Sequence, residues 1–260
     1  MGFAEVAYLA WPWVGLGAAA VLLVLLFATD WLRSDTRRSR WADAAWLSWL
    51  PVPVYMLHVF EEYGCHVSGG QFELVTSFAE TGVDTMFGGV PLALFPEVNI
   101  LLIYVAFPIA AWLGRKNPVI GLMPYGFMLV NGLTHIAGTV RFGGGLLSQP
   151  GNVTGLFLFI PLFVWFCIAC RKHGVLDGRG MAASIGAGVI QHMGIFSDYI
   201  VNLLAGNTAA IACPLHVLPG HPLRMAVQPQ ALREGRDRAI ARNPWRRPLL
   251  ATPSVRKGRT

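Results

Sequence analysis

The sequence predicts an all-α fold, a polytopic bundle of transmembrane helices, and three observations predict it. Only 13% of the 260 residues are charged, against about 25% in soluble domains. Long stretches carry no charge at all: Val6 to Ala28, Asn117 to Val140 and Phe142 to Cys170. The remaining arginines and lysines fall in short clusters between such stretches. A span needs roughly 20 apolar residues, about 17–25 in practice. A soluble core helix does not stay apolar on every face for that long.

Six spans are predicted, at about 7–28, 42–62, 97–114, 118–139, 153–170 and 182–204. The first has no basic region before it and is followed by arginines rather than a small-residue cleavage site, so it reads as a span and not as a signal peptide. The second and third are near the lower limit of length. The sixth contains Gly186, Gly188, Gln191, His192 and Asp198, and five spans remain if it does not cross. Pro51 and Pro53 are expected to kink the second helix before His58. The outer loop, about 63–96, is long enough to carry short elements of its own.

Charge orients the bundle. Lys and Arg accumulate in short cytoplasmic loops. Arg33, Arg37, Arg38 and Arg40 lie between the first two spans, Arg115 and Lys116 between the third and fourth, and Arg171, Lys172 and Arg179 between the fifth and sixth. The other loops hold only Arg141. The N-terminus is therefore predicted outside. Residues 222–260 hold ten Lys/Arg against Glu234 and Asp237, a net +8, while the rest of the chain is net −2. The basic balance belongs to a tail, and no nucleic-acid-binding face is expected. Three regions follow: 1–41, the first span with its basic loop; 42–205, the helical domain; and 206–260, an Arg/Pro-rich tail whose composition predicts disorder. The four cysteines form no disulfide framework, and Cys167 and Cys170 read as small packing residues.

The chemistry gathers at one boundary. His58, Glu61 and Glu62 close the second span, and at 3.6 residues per turn all three can share a face. Asn131 and His135, four apart, share a face near the end of the fourth span. Pro150-Gly151 is a turn signal, and Thr154 stands at the start of the fifth span. By topology these residues lie at similar depth on the outer side, and His192 approaches from mid-membrane. Ionisable groups in a membrane are expensive and normally face the bundle interior or water.

The ordered motifs His58-x-x-Glu61-Glu62, Asn131-x-x-x-His135 and Pro150-Gly151-x-x-Thr154 resemble the HXXEE-domain family of membrane proteins, over about residues 45–205. Two positions depart from the family pattern: Gly132 stands where Ala is usual, and Ser148 where Tyr is usual. Both leave the polar residues intact. The resemblance implies no established activity.

Two imidazoles with carboxylates suit a transition metal, zinc or iron. The expected ligands are His58, His135 and one of Glu61 and Glu62, with the other glutamate as general base; Asn131, Thr134, Thr154 and His192 are the supporting candidates. The leading expectation is a metal-dependent, hydrolase-like enzyme acting on a lipid or other membrane-associated molecule. The alternatives are a small transporter using the cluster as a proton or ion path, and a structural polar knot that holds the bundle together.

Overall fold

Prolines and glycines decide how these helices are built. A computed structural model describes residues 3–66, 69–81, 94–142, 145–147 and 149–204, all within the unit Met1–Pro219. The central part of the long loop, including Gly88, Gly89 and Met86, lies outside the described residues, as does the tail from 205 onward. Among the described residues the regular structure is helical throughout, without strands.

Helix α1 (Phe3–Ala28) leads through a 3₁₀ turn (Arg40–Ala42) into a segmented rod: α2 (Ala44–Trp49), α3 (Pro51–Val59) and a π-helical turn (Phe60–Gly64). Leu50, between α2 and α3, keeps helical angles, so the rod continues although Pro51 brings no N–H to it. The long loop contains α4 (Glu73–Thr81), a short element of its own. A second rod follows: α5 (Leu94–Leu101), a π turn (Leu102–Ala106) and α6 (Phe107–Leu113). Helix α7 (Pro118–Phe142) is continuous. A third rod comprises α8 (Asn152–Thr154), a π turn (Gly155–Phe159) and α9 (Ile160–His173). Helix α10 (Gly178–Leu204) comes last.

Two of the π turns have a local cause. Pro108 and Pro161 would each drive their ring against the carbonyl four residues back. Those carbonyls, of Tyr104 and Phe157, lie inside the widened turns. The π turn at Phe60–Gly64 has no proline behind it and lies where Glu61 and Glu62 diverge.

Among the described residues, four helices are long and apolar enough to cross a membrane: Val6–Ala28, Phe95–Leu113, Pro118–Arg141 and Asn152–His173. Four of the six predicted spans fall on them. The other two, 42–62 and 182–204, are helical but do not reach that standard, and packing explains both. Nearly every residue from Ala45 to Gly64 is buried, including Ser48, His58, Glu61 and Glu62. A helix wrapped by protein meets little lipid and has no need of an apolar surface. Helix α10 lies against α7 backbone to backbone. A Cβ at Gly188 would stand 2.2 Å from the Met123 carbonyl oxygen, and one at Gly126 would stand 2.4 Å from that of Ile185. The glycine that weakened the span prediction is the one that lets the helices touch.

The basic loops gather at one end. Arg115 donates to the Trp31 carbonyl at 2.6 Å, and Trp165, two turns before Arg171, donates through its indole to the Trp41 carbonyl at 3.1 Å. Trp41 packs edge-on against both Trp46 and Trp165. Cys167 and Cys170 are free thiols on α9, with Cys170 buried in the core as a packing residue.

Candidate metal centre

The other end of the central rod carries the polar cluster. His58 on α3 is fully buried, and Glu62, one turn later in the π segment, is 2% exposed. His58 Nε2 lies 3.2 Å from Glu62 Oε1. His135 on α7 brings its own Nε2 to 3.1 Å from the same oxygen. The two rings stand nearly perpendicular with centroids 5.0 Å apart. Candidate ligand atoms of His58, Glu62 and His135 all lie within 4.8 Å of one another. Bonds of about 2.0–2.1 Å in a tetrahedron place neighbouring ligand atoms roughly 3.3 Å apart, and the two histidine–Glu62 separations match that spacing.

Glu61 goes elsewhere. Its Oε1 accepts from the backbone N–H of Val153 at 3.1 Å; its Oε2 accepts from the N–H of Thr154 at 2.8 Å and from the Thr154 hydroxyl at 2.6 Å. A helix start has unsatisfied N–H groups and a partial positive charge, and this carboxylate serves it from another rod. Adjacent in sequence, Glu61 and Glu62 face different partners. Thr154 also meets the histidine, with Oγ1 2.7 Å from His58 Nδ1.

Gly151 closes the cluster. Its φ of +80° belongs to the left-handed region, which favours glycine. A Cβ there would stand 2.6 Å from His135 Cε1 and 2.7 Å from His58 Cε1. Both requirements exclude a side chain. Phe159 covers His58 from another side, ring centroids 4.5 Å apart, and stacks on Tyr55. Gly132 and Gly155 let α7 approach the third rod; a Cβ on Gly132 would be 3.3 Å from the Gly155 carbonyl oxygen.

The remaining candidates divide. Asn131 stands one turn before His135, and its buried Oδ1 has no hydrogen-bond partner among the described residues. Thr134 is exposed, and its hydroxyl turns back to the Asn131 carbonyl at 2.7 Å, away from the cluster. His192 is buried against Phe127, ring centroids 4.7 Å apart. The sequence signalled Pro150-Gly151 as a turn and as part of a motif, without a role beside the imidazoles. Its contact with two imidazoles from distant helices is long-range and left no local trace.

Residues 49–166 match the family described as "Protein of unknown function with HXXEE motif". This stretch, a little under half of the chain, is similar to an HXXEE domain. The match contains His58, Glu61, Glu62, Asn131, His135, Gly151 and Thr154, and is shorter than the 45–205 expected from the motifs. Neither a curated protein nor a solved structure matches the chain. Within the matched stretch the first acid of the Glu pair is bound by a helix start, and the second meets both histidines.

Proposed function

We propose that this chain is an integral membrane metalloprotein, with a divalent transition metal, zinc or iron, held by His58, Glu62 and His135. One observation carries the reading: two imidazole nitrogens from different helices converge on a single buried carboxylate oxygen. A carboxylate this buried is costly unless a positive charge compensates it, by several kcal/mol per ion even after relaxation. Three protein ligands are also the number typical of catalytic zinc sites, which keep a further position open. When bound, such an ion supplies Lewis acidity to a substrate oxygen.

The finer reading is a hydrolase-like enzyme acting on a lipid or other membrane-associated molecule. The cluster's position at the end of apolar helices favours a substrate that reaches it from the bilayer. Six spans, an outer N-terminus and a cluster near the non-cytoplasmic side complete the proposal. The alternation of basic loops and their meeting at the opposite end of the central rod support it.

A second reading, a small transporter with the cluster on a proton path, has its own observation. Asn131 Oδ1, Gln191 Oε1 and Ser184 Oγ on α7 and α10 are buried polar atoms without hydrogen-bond partners among the described residues. Such atoms are usually served by water or a ligand. Metal analysis of the full chain purified in detergent separates the readings. Stoichiometric metal that disappears in both His58→Ala and His135→Ala supports the metalloprotein. Metal-free protein that carries protons into liposomes refutes it in favour of the path.

A further inference from the structure

The hydrogen bonds around Thr154 fix which nitrogen of His58 bears a proton. Glu61 has three donors on its two oxygens, two of them backbone N–H groups that cannot act otherwise. An ionised carboxylate only accepts. The Thr154 hydroxyl therefore gives its single proton to Glu61, 2.6 Å away, and keeps only lone pairs for His58 Nδ1, 2.7 Å away on its other side. Nδ1 must then be the donor. In a neutral imidazole the other nitrogen, Nε2, is an acceptor; it lies 3.2 Å from Glu62 Oε1 and makes no hydrogen bond among the described residues.

We infer that Thr154 and Glu61 are positioning residues that lock His58 in its Nδ1–H tautomer and so present an Nε2 lone pair beside Glu62 and His135. The lock is built from the start of the third rod, so seating that helix and preparing the ligand are one event. The backbone N–H of Thr154 holds Glu61, and its side chain passes that constraint to the ring. This account gives the P-G-x-x-T motif two tasks: Gly151 makes room for the rings, and Thr154 sets the proton on one of them. The first link, the tautomer, stands independently of any ion; its consequence for affinity rests on the metalloprotein reading.

The tautomer is read directly by nitrogen-15 NMR of histidine-labelled full-length chain treated with chelator. The chain has seven histidines, and the His58 signals are assigned by their loss in His58→Gln. The lock requires Nδ1 to be the protonated, pyrrole-type nitrogen and Nε2 the bare, pyridine-type one. The reverse pattern, or both nitrogens protonated, overturns it. Titration with zinc then tests the consequence. Thr154→Val should weaken zinc binding by about 10–100-fold, the usual loss when a ligand's hydrogen-bonded support is removed. Thr154→Ser, which keeps the hydroxyl, should restore both affinity and tautomer. A Thr154→Val protein that folds and keeps wild-type tautomer and affinity overturns the inference. A wild-type protein with the required tautomer but no zinc binding leaves the lock standing and removes the metalloprotein reading instead.

Discussion

Asp43 and Glu62 stand at opposite ends of the same central rod, both almost completely buried, and their surroundings differ in kind. About 20 residues of helix, roughly 30 Å at 1.5 Å per residue, separate them. Asp43 is surrounded by donors. Oδ1 accepts from the Trp46 N–H and caps α2; Oδ2 accepts from the N–H groups of Ser34 and Asp35 and from the Ser34 hydroxyl. Glu61 is bound in the same way at the far end. Glu62, unlike Asp43 and Glu61, lies against two imidazole nitrogens, atoms that can offer lone pairs as readily as protons. Burial of a carboxylate therefore does not mark a site. What marks it is a carboxylate facing groups that need a cation or a proton between them.

The basic end adds a third case. Asp30 pairs with Arg40 and with Arg33, whose side chain is only 9% exposed, while Asp35 pairs at the surface with Arg38 and with Arg37, which is 90% exposed. Exposed pairs of this kind contribute little. Arg33 additionally binds the carbonyls of Asp35, Thr36 and Arg38, which shapes the loop more than the pairing does.

The contrast can be broken first at Glu62's partners. His58→Ala and His135→Ala should each abolish stoichiometric metal while the protein remains inserted and helical, as read by metal analysis and circular dichroism. At the other end, Asp43→Ala should leave metal content intact and lower stability by about 2–4 kcal/mol, because it removes a helix cap and strands buried donors. Denaturant unfolding in micelles measures it. An Asp43 variant that lost metal without losing stability would collapse the distinction between the two ends.

Gly151→Ala sharpens the comparison at the cluster itself. The left-handed backbone costs an alanine about 1–2 kcal/mol, and its methyl must displace one ring or the other. Metal affinity should fall by about 10-fold or more, within the range seen when ligand support is disturbed, with stability lowered as well. Wild-type affinity in this variant would mean that the rings do not sit where described.

The smallest effect belongs to the surface loop. Hydrogen bonding from the Arg37 backbone N–H, followed by its side chain, holds Asp35 below its ordinary value of 3.8. A depressed acid stabilises the fold above its unfolded value, and that contribution is lost as pH falls through the folded one. Asp35→Asn should therefore lower the melting temperature slightly at neutral pH, with the gap closing below pH 3.8. Metal content should not change. A gap that widened in acid would contradict the assignment.

Much of the architecture was legible in the sequence because lipid imposes a one-dimensional rule. The four long apolar helices could be read from runs without charge, and the gathering of basic loops from alternation. The sequence reads 42–62 and 182–204 as spans too, and their helices fall short of that standard where neighbouring protein packs against them. Ala44–Trp49 and Pro51–Val59 sit inside the bundle, and Gly178–Leu204 uses Gly188 for contact with α7. At the site, His58, Glu62 and His135 were legible as polar residues at one boundary. The separation of Glu61 from Glu62 was not. It depends on the π turn and on the start of a helix some 90 residues later, and an ideal 3.6-residue period places both acids on one face.

The central claim is that Glu62, and not Glu61, shares an ion with the two histidines. X-ray absorption spectroscopy on the full-length protein, purified without chelator and compared with Glu62→Gln, tests it most directly. The account predicts bound metal with a shell of nitrogen and oxygen ligands at about 2.0–2.2 Å including two imidazoles, lost or stripped of its carboxylate in Glu62→Gln. Metal-free wild-type protein, or a metal whose shell is unchanged by Glu62→Gln, would contradict it.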